Sequence, residues 1–163
     1  MSNLCRNIVF LENKNMNATA EIMANFNSGN FFSSIVPPPN GLNDQALDEF
    51  KRQNWGCPGD LDPRFAYSAK WLSKKPSKIM IEFDALWLPP VGIYTALESS
   101  GFAVTAYYLE ESSNLAGVYR NGKNTPCSVW NDEEYPDGLA DVFNLKALGE
   151  PDLPTLDLPR ESV

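Results

Sequence analysis

Histidine is absent from this chain of 163 residues, and only three cysteines are present. Because histidine is the usual proton-transfer side chain near neutral pH, its absence excludes a serine or cysteine nucleophile activated by an imidazole of this chain. Cys5, Cys57 and Cys127 are widely spaced and form no Cys-x-x-Cys pair. We therefore expect no disulfide framework, structural zinc site or iron–sulfur cluster, since such metal sites normally need four ligands. These absences favour a non-enzymatic protein without a cofactor or a metal.

Long apolar runs are also missing from the sequence. No window approaches the roughly 18 to 20 uninterrupted apolar residues that are needed to span a bilayer. The apolar run near the N-terminus extends only from Ile8 to Leu11, which is too short for a signal peptide. We therefore expect a cytoplasmic protein that consists of one domain with a tail.

Negative charge is concentrated in the second half of the chain. Residues 1–80 contain nine Lys or Arg and seven Asp or Glu, whereas residues 81–163 contain four and fourteen. The second half therefore has a net charge of −10, and the whole chain has a net charge of −8. Such a surface repels nucleic acid and suits a partner protein with a basic surface, although acidity also keeps a small protein soluble.

The beginning of the chain predicts a strand followed by a helix. Cys5, Asn7, Val9 and Leu11 alternate onto one face of the first strand. A helix is expected over about 18–27, where an apolar stripe follows possible capping residues.

The next segment predicts an extended run and a second helix. The letters "NFFSSIV" indicate an extended run that is interrupted by Pro37, Pro38 and Pro39. Asn43 is a suitable helix cap and Gly56 a suitable terminator, so a helix is expected between them.

The middle of the chain predicts two strands, a stiff corner and a helix. The strands flank a turn at 74–77. The second strand ends before Pro89 and Pro90, because proline has no N–H to donate to a neighbouring strand. Pro90 suits the first position of a helix that Gly101 terminates. A strand and its hairpin partner follow, up to about residue 123.

This order of elements predicts an α+β fold of the ferredoxin-like type. It consists of a split βαβ antiparallel sheet with helices on one face. The predicted domain covers residues 1–124, with a helical insertion at about 40–60. Residues 125–163 are expected to hold a C-terminal helix and an acidic, proline-rich tail that is extended or disordered.

Six short motifs occur along residues 1–122. They are "CRN" near the start, "IVPPPN", "NWG" after a helix, the Trp-x-Pro-Pro corner at 87–90, Tyr108 with Glu110, and a hairpin that contains Gly117. This set resembles the YubB-type ferredoxin-like proteins, which are small proteins of phages, plasmids and pathogenicity islands. Leu4 departs from the tryptophan that the family has there, and Cys57-Pro58-Gly59 replaces the usual Thr-Lys-Trp.

The resemblance offers no established catalytic residues to transfer, and together with the absent histidine and the acidic second half it favours a function in binding. It implies a ferredoxin-like fold without iron, in an accessory protein of a phage or another mobile element that acts in the bacterial host cytosol. Such a protein would bind and modulate or inhibit a host protein of defence or nucleic-acid processing, in the manner of an anti-CRISPR protein.

Two candidate contacts for such a partner are visible in the sequence. The densest acidic patch, residues 131–138, contains Asp132, Glu133, Glu134 and Tyr135, and predicts docking to a basic surface. An ordinary acidic surface loop is the alternative. Trp55 of the "NWG" motif is a second candidate anchor, although we favour a role for Trp55 as a cap of the core. Trp87 is expected to pack under the two prolines as part of the core.

Two other functions stay open. Glu82, Asp84 and Glu110 lie on predicted neighbouring strands, where a small hydrolase or nuclease would hold a divalent ion. Alternating polar positions on a strand usually face water, however, so we expect these carboxylates to be solvated. A nucleic-acid-binding module is the third possibility, and the one basic cluster, which is small, contains Lys70, Lys74, Lys75 and Lys78.

Overall fold

The computed structural model describes residues 3–129 and 135–144, which form an α+β fold. In this part of the chain the strands are β1 (Leu4–Asn13), β2 (Ala66–Lys74), β3 (Ser77–Leu86), β4 (Ala103–Glu110), β5 (Leu115–Arg120) and β6 (Lys123–Cys127). The α-helices are α1 (Met16–Asn25), α2 (Phe31–Ile35), α3 (Asp44–Asn54), α4 (Val91–Ser99) and α5 (Leu139–Phe143). The strands form one antiparallel sheet in the order β2-β3-β1-β4-β5-β6.

Strand β1 lies inside the sheet, between β3 and β4. Cys5, Asn7, Val9 and Leu11 are all fully buried, because their face of β1 is covered by helices. The face predicted from their alternation is confirmed. Tyr94 of α4 donates a hydrogen bond of 2.5 Å to Oδ1 of Asn7 and so anchors the helix on the sheet.

Helix α3 agrees with the sequence prediction at both ends. Oδ1 of Asn43 accepts a hydrogen bond of 2.8 Å from the backbone N–H of Ala46, as expected of a cap. Gly56 follows the helix with φ of +88°, a left-handed conformation that favours glycine.

Helix α2 occupies the segment that the sequence predicted to be extended. The carboxylate of Asp60 accepts hydrogen bonds from the backbone N–H groups of Phe32, at 2.7 Å, and Ser33, at 3.1 Å. These are the donors that a helix start leaves without partners. Phe31 and Phe32 are buried in the core, so tertiary packing and a distant carboxylate stabilise a helix where local propensity is weak.

The sheet has a hydrophobic core on each face. The larger core lies under α1, α2 and α4. The smaller core includes Ile8 and Met80 of the sheet together with Leu139 and Phe143 of α5. Leu139 and Phe143 are fully buried and four residues apart, so one turn of α5 covers this second face. Helices α1, α2 and α4 thus lie on one face of the sheet, as expected for residues 1–124, and α5, to which the sequence assigned no face, covers the other.

Strand β6 extends the sheet beyond the predicted hairpin. It pairs with β5 and forms one edge of the sheet, and it contains Pro126. Proline is tolerated there because an edge strand does not need every N–H for pairing. Within 3–129 and 135–144, no helix has the length and hydropathy to cross a membrane.

Candidate binding site at the Trp-Pro-Pro corner

The corner after β3 contains two tight turns in succession. The backbone N–H of Leu88 donates to the carbonyl of Leu86 at 2.8 Å, which closes a three-residue turn around Trp87. The N–H of Val91 likewise donates to the carbonyl of Pro89 at 2.8 Å. Helix α4 starts at Val91, because Pro90 has ψ of 67° and lies outside the helical region. The sequence had placed Pro90 inside the helix.

Trp87 has a strained backbone. Its φ is +69°, in a region where side chains larger than hydrogen are disfavoured by about 1–2 kcal/mol. The other non-glycine residues with positive φ in the described chain are Asn114, Asn121 and Asn144. Asparagine tolerates this conformation, whereas a bulky residue in it is an outlier. The N–H of Trp87 donates to the carbonyl of Asn3 at 2.8 Å, which helps to hold the turn.

The strained turn places two large apolar side chains on the surface. Trp87 is 59% exposed and Leu88 is 48% exposed. The prediction that Trp87 belongs to the core is therefore wrong. The alternation of β3 would direct this side chain toward the helices, but the turn at positive φ removes it from that alternation.

The corner packs directly against the end of α3. The N–H of Gly92 donates to the carbonyl of Trp55 at 3.1 Å. A Cβ on Gly92 would lie 2.0 Å from the carbonyl oxygen of Asn54, and a Cβ on Gly56 would lie 3.1 Å from the nitrogen of Val91. The two segments therefore meet backbone to backbone, and the "NWG" and Trp-Pro-Pro motifs form one structural unit.

Trp55 lies on the inner side of this unit. It is 1% exposed, and its Nε1–H donates to the carbonyl of Val36 at 2.9 Å. Its ring packs edge-on against Phe32 and Phe50. The structure thus places Trp55 in the core, where the favoured interpretation had it, and leaves almost none of its surface for a partner.

A surface pocket of about 360 Å³ lies beside the exposed tryptophan. Burial raises the pKa of the Cys57 thiol to about 12, and its Sγ donates to the carbonyl of Gly59. Cys57 is therefore a buried, neutral thiol at physiological pH, without nucleophilic chemistry. The pocket is lined by Arg52, Gly56, Cys57, Pro58, Trp87 and Leu88.

Arg52 supplies the single charge of this pocket. It is exposed in the last turn of α3, and the ion pairs of the described residues are Arg6–Glu82 and Arg64–Asp62. No carboxylate of the described chain thus lies within 4.0 Å of the Arg52 guanidinium. The sequence analysis did not predict Arg52 or Leu88 as binding residues. Leu88 could have been found, because it is an apolar residue that follows the end of the strand and directly precedes Pro89.

The predicted acidic contact can be located only in part. Asp132, Glu133 and Glu134 lie outside the described residues. Tyr135 is half-buried, and its hydroxyl donates to the carbonyl of Val129 at 2.7 Å. Its ring packs against the smaller core.

The carboxylates of the sheet are buried, so the expectation that they face water is wrong. Glu82 and Asp84 are 3% and 1% exposed, and they alternate with Met80 on the face of β3 that carries the smaller core. Glu82 accepts hydrogen bonds from Arg6, and Oδ2 of Asp84 accepts one of 2.6 Å from the Tyr67 hydroxyl.

Glu110 lies apart from the other two carboxylates. It alternates with Tyr108 of β4, which places it on the helix-covered side of the sheet, and it accepts a hydrogen bond of 2.7 Å from the N–H of Ser113. Over residues 3–129 and 135–144, no group of three or more His, Cys, Asp or Glu side chains is arranged to hold a metal ion.

The basic cluster lies at the β2–β3 hairpin. Strand β2 is an edge of the sheet, and its pairing with β3 has two irregularities. Nζ of Lys74 lies 4.9 Å from the centre of the Trp71 ring. Exposed lysines and bulges are the usual protection of an edge strand against pairing with other chains. The exposed lysines here are Lys70, Lys74, Lys75 and Lys78.

Comparison with known proteins gives no match: no protein-family model, no curated protein and no solved structure is significantly similar to this chain. The resemblance of the short motifs to the YubB-type proteins stays a prediction.

Proposed function

We propose that this protein is a non-enzymatic binding module, and that it binds a partner protein through the surface formed by Arg52, Pro58, Trp87 and Leu88. We call this the Trp87 surface. The observation that carries the proposal is that Trp87 is both strained and exposed. Strain of this kind persists where the surrounding structure enforces it, and it clusters at functional sites.

The chemistry of the Trp87 surface suits a protein interface. Tryptophan and arginine are the residues that most often dominate binding energy at interfaces, and they do so around a small apolar pocket. Here both types of side chain border the same pocket, together with Pro58 and Leu88.

The topology supports the ferredoxin-like part of the proposal. With α2 and α3 taken as an insertion between α1 and β2, the order β1-α1-β2-β3-α4-β4 and the sheet order β2-β3-β1-β4 agree with two split βαβ units. We further propose, from the motif resemblance, an accessory protein of a phage or another mobile element. Its partner would be a host protein of defence or nucleic-acid processing, with Asp132, Glu133 and Glu134 as a second contact for a basic surface.

Affinity capture from a bacterial host lysate tests the proposal. We expect one stoichiometric partner with the unchanged protein and its loss with Trp87→Ala. Leu72→Ala is the matched control, because Leu72 is 49% exposed on β2 and lies outside the Trp87 pocket. Capture that is equally strong with Trp87→Ala and Leu88→Ala would contradict the assignment of the surface.

The acidic contact needs its own variant. Substitution of Asp132, Glu133 and Glu134 by alanine should weaken capture at low salt and have less effect at high salt, since exposed charges are screened. Unchanged capture under both conditions would remove this contact from the proposal.

A further inference from the structure

The Trp87 surface is open on one side. Trp87 and Leu88 are more than half and nearly half exposed, respectively, whereas small-molecule sites enclose roughly 70–90% of their ligand. A cavity of about 360 Å³ with such exposed walls suits one or two apolar side chains presented by a peptide.

The cation at the rim, Arg52, forms no ion pair within the described chain. Arg52 borders the pocket, no acidic residue lines it, and no carboxylate of the described chain lies within 4.0 Å of the guanidinium. The neighbouring Lys51 does not line the pocket, and its Nζ lies 5.8 Å from the centre of the buried Trp55 ring. Arg52 is thus the cation that a ligand at the pocket meets, and a carboxylate, which like a phosphate matches the guanidinium in bidentate geometry, is the partner that an unmodified peptide supplies.

The acids of α3 limit where that carboxylate can lie. Asp48 and Glu49 line the neighbouring depression on the other side of Arg52, together with Gln45 and Gln53. A second anion is repelled there, so a ligand carboxylate is favoured only on the side of Arg52 that faces Trp87.

From this arrangement we infer that the Trp87 surface recognises a peptide segment in which an apolar side chain stands close to an aspartate or glutamate. The inference rests on the proposed function and names the chemistry of its ligand. The apolar side chain fills the pocket between Pro58 and Trp87, and the carboxylate pairs with Arg52. The pairing gives specificity, while the apolar contact gives most of the affinity.

Selection from a displayed library of random 12-residue peptides tests the inference on the full chain. We expect the unchanged protein to enrich peptides with Trp, Phe, Leu or Met within three positions of Asp or Glu. Arg52→Glu should shift the enrichment from acidic to basic neighbours, and Trp87→Ala should abolish it. Lys123→Glu is the control for charge alone, because Lys123 is exposed on β6, away from the pocket.

One selected peptide and its amide counterpart, with Asp→Asn or Glu→Gln, then give the size of the effect. We expect the amide to raise Kd about tenfold for the unchanged protein and to have little effect for Arg52→Gln, as for a charge-assisted pair. Circular dichroism melts verify that each variant is folded.

The outcomes separate the two levels of the argument. Enrichment of apolar peptides without acids, still dependent on Trp87, overturns the inference and leaves the proposed function intact. Enrichment that is the same with Trp87→Ala as with the unchanged protein overturns both. No enrichment with either protein overturns the inference, whereas the proposed function is decided by the capture of a partner protein.

Discussion

Trp55 and Trp87 flank the same backbone contact, yet Trp55 is 1% exposed and Trp87 is 59% exposed. Trp55 has an ordinary right-handed backbone, with φ of −99°, and its indole N–H has a partner inside the protein. Trp87 has φ of +69° and stands on the surface. The comparison teaches that backbone geometry at the corner, and not the apolar nature of the side chain, decides which tryptophan joins the core.

The two residues are therefore expected to contribute differently to stability and to binding. Burial of Trp55 removes a large apolar surface from water and satisfies a donor, so it stabilises the fold. The backbone of Trp87 costs free energy, and much of its ring remains in water. Substitutions of Trp55, Gly92, Gly56 and Trp87 test this difference and the backbone contact that lies between the two tryptophans.

Trp55→Ala should lower the free energy of unfolding by about 3–5 kcal/mol, because it leaves a cavity and removes the donor to Val36. Urea denaturation followed by circular dichroism measures the change. Trp87→Ala is the matched control and should change stability by about 1 kcal/mol or less. Equal costs for the two substitutions would contradict the comparison.

Gly92→Ala should lower the free energy of unfolding by about 2–3 kcal/mol, because the added methyl group collides with the carbonyl of Asn54. In an unobstructed helix the same change would stabilise by about 0.5–1 kcal/mol. Ser99→Ala, at an exposed position near the end of α4, should stay within about 0.5 kcal/mol of the unchanged protein. A stabilising Gly92→Ala in thermal melts would refute the tight contact.

Gly56→Ala should lower the free energy of unfolding by about 2 kcal/mol. Gly41→Ala should lower it by about 1 kcal/mol, because there the left-handed backbone is the only source of strain. Both glycines have positive φ, of +88° and +82°, but a Cβ meets backbone atoms only at Gly56. The difference between the two variants in chemical denaturation isolates the contact with Val91 and Pro89. Identical costs would mean that the contact relaxes without loss.

Trp87→Gly should be more stable than Trp87→Ala by about 1 kcal/mol, because glycine adopts φ of +69° without strain. Both variants should lose peptide binding. The Asn121→Gly and Asn121→Ala pair serves as a reference for an exposed left-handed position with an ordinary residue. No difference between the two Trp87 variants in denaturant titrations would argue against stored strain at the corner.

The regular parts of this fold could be predicted because they depend on local signals. Cys5, Val9 and Leu11 alternate in the sequence, and their shared face is buried in the structure. Asn43 and Gly56 mark the ends of α3 by capping chemistry that operates within a few residues.

The remaining features depend on residues that are distant in sequence. Helix α2 begins where Asp60, more than 25 residues later, accepts hydrogen bonds from it. The buried carboxylates of Glu82 and Asp84 accept hydrogen bonds from Arg6 of β1 and Tyr67 of β2, respectively, so their burial depends on partners on other strands. The alternation of β3 in the sequence predicts that Trp87 points inward. The turn at positive φ, which the sequence does not indicate, directs it to the surface instead.

The backbone contact between Gly56 and Gly92 also bears on the entropy of binding. No flexible side chain lies between the two segments, so the wall of the pocket that carries Trp87 is fixed to the end of α3 that carries Arg52. A ligand meets both anchors at a preset spacing and orders few groups of the protein when it binds. Such preorganisation reduces the entropic cost of association and predicts an interface that changes little between its free and bound states.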